Sequence, residues 1–494
     1  MTKQLYITTA IPYVNSVPHI GNAMDYLLAD IWTRYNMQNG RAVRFQIGTD
    51  EHGNKNAQKA IDNGLTPQAY VDQSHLPFRQ MAEKIGSQYT DFVRTTDEHH
   101  KASVQYIWQQ LKPHIYKDKY EGWYCVGCEQ FYTDKEVEEQ NGSCPNHQRP
   151  FERLSEENYY LRCSDFTEQI REAIEKNKMR IVPEYRKKEI LELLKDGAKD
   201  VSISRPRKSL SWGVPVPDDP DQVMYVWLDA LSNYLTVLGY PDRPEWQDYW
   251  PADLQVVGKD ILRFHAIIWP SILLGIGVAL PKAILAHGFV NIGGVKISKS
   301  LGNTIDPNQV IDEYGLDAFR YFFARHIPTQ DDGDFTWERF ETAYNTELCN
   351  DLGNLVQRIA SMITRYQVGV IGEVEAGEHD MMRYHEAMKD LKFDVALDEV
   401  WNIVRSLNRY IDSVKPWEIA KNLDTDTEAR DHLAEVLAHS VGTLLQVADL
   451  LVPFIPTTAK KIHDTFESGV IKSEGVLFPR LYIHTADPRA KKTQ

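Results

Sequence analysis

The sequence predicts an α/β protein, with a parallel-sheet domain interrupted by an insertion and followed by an all-α helical bundle. Three observations carry that prediction. The N-terminal region alternates β-prone and helix-periodic stretches, β-like segments return near residue 255 after a gap, and from about Phe340 onward only helical periodicity remains.

The elements follow in order. QLYITTA (Gln4 to Ala10) is β-prone, and Pro12 and Pro18 break the loop after it. Ile20, Ala23, Met24, Leu27, Leu28, Ile31 and Tyr35 then recur at helical spacing until Asn39-Gly40 stops them. AVRFQIGTD (Ala42 to Asp50) supplies the next strand, so the region has the β-α-β rhythm of a parallel sheet, whose ligands bind at strand C-terminal ends. LQVVGKD (Leu254 to Asp260) and AILAHGF (Ala283 to Phe289) read as further strands. Between them lies the uncharged run Phe264 to Leu280; with His265, Pro270, Gly275 and Gly277 inside it, a buried core helix is the better reading than a membrane span. The sheet is therefore interrupted by an insertion at roughly residues 115–225. In the bundle, Phe393, Ala396, Leu397, Val400, Val404, Leu407 and Ile411 make one apolar stripe, and LAEVLAHSVGTLLQVADLLVPFIP makes another.

A chain of 494 residues is too long for one ordinary core, and two to four domains are expected. The net charge of -15 argues against a protein that coats nucleic acid indiscriminately. The local basic stretches, Arg186 to Ser209 and the tail RAKKTQ, read as solvated surface charge. Five cysteines, three of them between Cys125 and Cys144, speak for a reducing compartment, the cytosol, and no apolar leader precedes the first strand.

Three constellations carry chemistry. PHIGN (Pro18 to Asn22) sits where the first strand gives way to the first helix, so its backbone amides favour an anion, Gly21 permits close approach, and His19 and Asn22 share one helical face. GGVKISKSLGN gathers Lys296 and Lys299 between Gly293, Gly294 and Gly302; a loop that closes over a triphosphate would bring Lys299 to the pyrophosphate leaving group. CVGC (Cys125 to Cys128) followed by CPNH (Cys144 to His147) offers three thiolates and one imidazole in two close pairs, the donor set of a closed tetrahedral structural zinc site. Cys163 and Cys349 read as buried thiols.

Together, in this order and spacing, PHIGN and KISKS resemble the HIGH and KMSKS signatures of class I aminoacyl-tRNA synthetases. AIPYVNSVPHIGN, YVWLDALSNY, GKDILRFHAIIWP and HGFV narrow the resemblance to the methionyl-tRNA synthetase family, over essentially the whole chain. The resemblance implies a Rossmann-type catalytic domain in two halves, 1–114 and 226–282. It places a connective insertion with one zinc knuckle at 115–225, a lysine-loop and stem-contact region at 283–340, and an α-helical anticodon-binding domain at 341–494.

The chemistry it implies is ATP-dependent activation of L-methionine to methionyl-adenylate and pyrophosphate, then transfer to the terminal adenosine of tRNA(Met). His19, Asn22, Lys296 and Lys299 would stabilise the reacting phosphates with Mg²⁺, joined at the nucleotide by Gly21, Gly258 and Asp260, the last as a ribose or nucleotide contact. Ile11, Tyr13, Trp227, Leu231, Tyr234, Ile261 and His265 would form an apolar slot for the thioether, with Asp50 on the ammonium. Asn354, Arg358 and Trp417 match the anticodon-contacting positions. The chain departs from the pattern at Asn22 (usually histidine), Ile297 (usually methionine) and Leu231 (often proline). A cytoplasmic monomer is expected. Two other readings compete: a noncatalytic RNA-binding paralogue, and a sister synthetase for isoleucine, valine, leucine or cysteine. The intact set of Lys296, Lys299, Asp50 and Trp227 argues against the first; the short insertion and the closed zinc set argue against the second.

Overall fold

The computed structural model describes residues 4–125, 130–145, 149–296, 305–371, 374, 379–471 and 475–485. Its centre is a six-stranded sheet in the order Asp91–Arg94, Val43–Thr49, Leu5–Thr9, Leu254–Gly258, Ala283–His287, Arg180–Val182, with every neighbouring pair parallel. All five residues of Leu5–Thr9 are buried, as a central strand covered on both faces requires. The chain builds outward from this strand in one direction through Val43–Thr49 and in the other through Leu254–Gly258, so strand order reverses there. A crevice opens at such a switch point beyond the strand C-terminal ends.

Helix Ile20–Gln38 packs its apolar stripe on the sheet, with Ala23, Leu27 and Ile31 fully buried, and ends at Asn39, whose backbone N–H closes the last turn. The apolar run from Phe264 is not one regular helix: a π-type turn, Phe264–Ile268, passes into the α-helix Trp269–Gly275, and Gly277 at φ 72° lies just beyond it. Ala266, Trp269, Ile272 and Leu273 are buried, in keeping with a core segment. Among the described residues no helix is long and apolar enough to cross a membrane.

Within residues 115–225 a hairpin dominates: Ile115–Cys125 pairs antiparallel with Glu152–Leu161 and with Gln130–Tyr132. The same segment also sends strand Arg180–Val182 back to the edge of the main sheet, against Ala283–His287. The three-residue strand is too short to show periodicity, and its partner lies a hundred residues further along the chain, so only packing reveals it. Beyond the sheet, Val290–Ile292 pairs with Val295–Lys296 and with Gly333–Phe335.

From Trp337 the described chain is helical, through Asn354–Tyr366, Met382–Lys389, Phe393–Val414, Thr427–Leu451 and Pro456–Phe466. The stripe from Phe393 to Ile411 is buried at every predicted position, and the second stripe forms the core of Thr427–Leu451.

Candidate active site

A cleft of about 330 Å³ lies at the switch point. His19 caps helix Ile20–Gln38: its Nδ1 accepts from the backbone N–H of Gly21 (3.1 Å), while Asn22 Oδ1 accepts from the backbone N–H of His19 (3.1 Å). This reciprocal capping box explains Asn22, because a side-chain oxygen at that position satisfies an orphan N–H of the helix start. With Nδ1 accepting, the ring hydrogen sits on Nε2. A Cβ on Gly21 would stand 2.9 Å from His19 Cε1, so glycine is what lets the imidazole fold over the helix end. The commoner fate of a histidine at a helix start, capping, is thus what the structure shows for His19.

Asp50 follows strand Val43–Thr49, is 5% exposed, and donates its backbone N–H to the carbonyl of Pro12 (2.9 Å). Its loop is held by buried charge. Glu51 takes Arg94 at 2.7 Å, and His52 meets Asp229 at 2.6 Å. Burial opposes ionisation of Asp229, but His52 and His100 outweigh it and hold the carboxyl down at about 2.

On the apolar side Trp227 stacks flat on Phe264, ring centroids 3.7 Å apart. Tyr234 Oη lies 2.7 Å from His265 Nε2, and His265 Nδ1 lies 3.0 Å from the carbonyl of Ile261. Since a carbonyl only accepts, Nδ1 donates there and Nε2 accepts from the tyrosine. Burial lowers the His265 pKa to about 4, so the ring is neutral near pH 7.

Ile11, Tyr13, Asp50, Trp227, Leu231, Tyr234, Ile261 and His265 all line the cleft, together with His19, Gly21, Asn22, Gly258 and Asp260. Gly258 is constrained: a Cβ there would meet Asp260 Oδ1 at 2.8 Å. The cleft also contains Asp25, His287 and Phe289, which sequence reasoning did not single out. Asp25 stands one helical turn beyond Asn22, and His287 opens the HGFV stretch, so a helical-face argument could have found the first. Val290–Ile292 and its partner strand lead away from this wall through Gly293 and Gly294, both at positive φ, to the backbone of Lys296. The Lys296 side chain and all of Lys299 lie outside the described residues.

The family model for class I (M) tRNA synthetases matches residues 5–153 and 147–360. The methionine-tRNA ligase of Streptomyces coelicolor is 40% identical, over 96% of this chain and 91% of that protein. That of Caldanaerobacter subterraneus subsp. tengcongensis is 39% identical, over 97% of this chain and 79% of its own length. The chain belongs to the methionyl-tRNA synthetases. Among solved structures of this family, Mycobacterium tuberculosis methionyl-tRNA synthetase in complex with methionyl-adenylate superposes with a TM-score of 0.89 at 34% identity, covering 97% of this chain and 100% of the other.

Two further regions of this synthetase bear on function. Cys125 and Cys144, 1% and 0% exposed, share a small buried cluster with Val137 and Phe151, at the end of the insertion hairpin. Cys128 and His147 lie outside the described residues, and among those described no group of three or more ligating side chains forms a metal cage. Cys163 is buried and its thiol is pushed up to about 12 by burial. Cys349, expected to be buried, is half-buried instead, because it sits in the π-type segment Tyr344–Gly353 with only part of its surface against the bundle core.

In the bundle, Asn354 and Arg358 lie four apart on helix Asn354–Tyr366. Asp412, near the end of helix Phe393–Val414, holds Arg358 Nη1 at 3.0 Å, and Trp417, 36% exposed, follows on Pro416–Ile419. Arg358 thus sits against the end of the helix that Trp417 follows in the chain. Arg358 Nε and Nη2 have no hydrogen-bond partner among the described residues.

Proposed function

We propose that the cleft activates L-methionine with ATP in the family's two-step reaction, with the residues in the roles inferred from sequence. A methionine carboxylate oxygen attacks the ATP α-phosphorus as its bond to the bridging oxygen breaks, giving methionyl-adenylate and pyrophosphate. A ribose hydroxyl of the terminal adenosine of tRNA(Met) then attacks the methionyl carbonyl, and AMP leaves. The protein forms no covalent bond; it positions and stabilises charge. One observation carries the reading: the eight side chains expected around methionine and five of the seven groups expected around the nucleotide line a single cleft at the sheet's switch point.

In this reading the neutral His265 and Tyr234 keep the thioether slot free of charge, and Asp50 receives the ammonium. The Asn22 side-chain amide and His19 Nε2–H face phosphate oxygens, Gly21 permits the close approach, and Lys296 and Lys299 meet the leaving pyrophosphate. Mg²⁺ carried with ATP offsets phosphate charge. Zn²⁺, held by Cys125, Cys128, Cys144 and His147, would close the insertion's tip; two of the thiols already occupy one buried cluster, and the three-sulfur, one-nitrogen donor set suits a structural site. Asn354, Arg358 and Trp417 would meet the anticodon, in a cytoplasmic monomer.

The test is pyrophosphate exchange into ATP across a panel of amino acids. Methionine alone should support it. Exchange should fall by roughly 100-fold or more in Lys299→Ala, while methionine binding changes by less than about threefold. Silence with every amino acid would overturn the reading.

A further inference from the structure

Behind the proposed methionine slot lies a line of buried polar side chains that the reaction above does not use. Asp229 sits on helix Val226–Thr236, whose residues Trp227, Leu231 and Tyr234 recur at i, i+4 and i+7 and line the cleft. Two residues on from Trp227, Asp229 leaves the opposite side of that helix, and it is 1% exposed. Both its oxygens are taken: Oδ2 lies 2.6 Å from His52 Nδ1, and Oδ1 lies 2.8 Å from His100 Nε2. A carboxylate only accepts, so both histidines donate to it.

Each histidine carries the contact further. His100, on helix Glu98–Leu111, also meets Thr236 Oγ1 through its Nδ1 (2.7 Å), so one ring grips helix Val226–Thr236 at Asp229 and again at its last residue. His52 stands two residues after Asp50, in a loop that Trp212 closes from the insertion side. The Trp212 indole N–H donates to the carbonyl of Glu51 (2.8 Å), its carbonyl accepts from the backbone N–H of Gly53 (3.0 Å), and the His52 ring packs edge-on against it, centroids 5.3 Å apart. His52, Asp229 and His100 therefore tie the loop that carries Asp50 to the helix that carries much of the apolar slot.

Burying a carboxylate between two imidazoles is a costly way to join two segments, since packed apolar side chains of similar volume stabilise as well or better. Directional bonds add register instead. The substrate sets the need for it: a short saturated chain joins the ammonium of methionine to its thioether, so the acceptor for one and the slot for the other must keep a set separation. We propose that Asp229 is a positioning residue for amino-acid selection, holding Asp50 at the distance from the apolar slot that methionine spans, with His52 passing the constraint to the loop and His100 fixing Asp229. The proposal rests on the cleft being the methionine site.

The experiment is pyrophosphate exchange by the full chain, with kcat and KM measured for ATP, for methionine, and for S-methylcysteine and ethionine, which are shorter and longer than methionine by a methylene. The unaltered protein should prefer methionine over each analogue by about tenfold or more in kcat/KM, the scale that a misplaced methylene sets. Asp229→Ala and His52→Leu should each raise the KM for methionine by about tenfold, keep kcat and the KM for ATP within about threefold, and shrink the preference over at least one analogue by about threefold or more. His52→Asn, whose side-chain amide can stand where Nδ1 stood, should return the methionine KM and the preference to within about threefold of the unaltered values. A merely structural tie predicts a lower melting temperature with both KM values and the preferences unmoved, or with both KM values raised together. Either result in the two His52 variants overturns the inference and leaves the synthetase reading intact, whether or not Asp229→Ala folds; absence of methionine-dependent exchange in the unaltered protein overturns both.

Discussion

His265 keeps its ring neutral because it is buried, and that has a measurable cost at acid pH. The unfolded chain takes up a proton near 6.5, whereas the folded ring resists until about 4. Between those values the unfolded state binds more protons, so folding stability is fully present above about 6.5 and declines as pH falls toward 4, by roughly 3 kcal/mol in all. Thermal melts across that window should show the decline, and His265→Gln should lack this component. The ring resonances should titrate with a midpoint below 5; a midpoint above 6 would contradict the buried Tyr234–His265 pair. His19 teaches a different lesson at the same scale. Its role as a helix cap, the commoner fate of such a residue, is fulfilled by Nδ1, and this is what leaves the ring hydrogen on Nε2.

Elements set where such residues point. The run from Phe264 reads as one core helix, but its first turn is widened to π geometry, which seats His265 against both Tyr234 and the Ile261 carbonyl. Apolar pattern announces burial; it does not report a one-residue change of pitch. In the insertion, the cluster of Cys125, Cys144, Val137 and Phe151 is too small to hold the hairpin tip by packing alone. Purified protein should therefore carry one zinc per chain, and Cys144→Ser should release it and expose the tip to proteolysis while methionine-dependent exchange stays within a few-fold. Metal-free protein with a protected tip would refute the assignment. At the far helix end, Trp417→Ala should lower tRNA charging by about tenfold or more with exchange unchanged, since stacking on a splayed base is worth about 1–3 kcal/mol. Equal loss of both activities would point to folding.

Across the whole molecule, one buried side chain joins three regions. Arg320, 0% exposed, reaches Asp30 on the signature helix (2.7 Å), the carbonyl of Ile85 (3.0 Å), and the carbonyls of Pro453 (2.9 Å) and Phe454 (2.6 Å), which follow the longest bundle helix. The catalytic sheet and the bundle also share one continuous apolar cluster. Arg320→Met would leave Asp30 buried with Arg34 as its remaining ion-pair partner, at a cost of about 3–5 kcal/mol. Denaturant midpoints should drop accordingly, and adding Asp30→Asn should recover a substantial part of the loss. A silent single variant would show that the strut carries no stability.

The sequence by itself determined the alternation of strand and helix, the stripes of the bundle, the signature segments and, through the family resemblance they carry, most residues of the cleft. All of these are written in local pattern or in motif spacing, which survive without coordinates. Only the tertiary structure decided that Arg180–Val182 leaves the insertion to join the main sheet, that Cys349 stays partly exposed, and that Asp25 meets His287 across 262 residues. Pairings of that kind depend on which distant segments pack together, and neither periodicity nor residue chemistry along the chain encodes a distance in space.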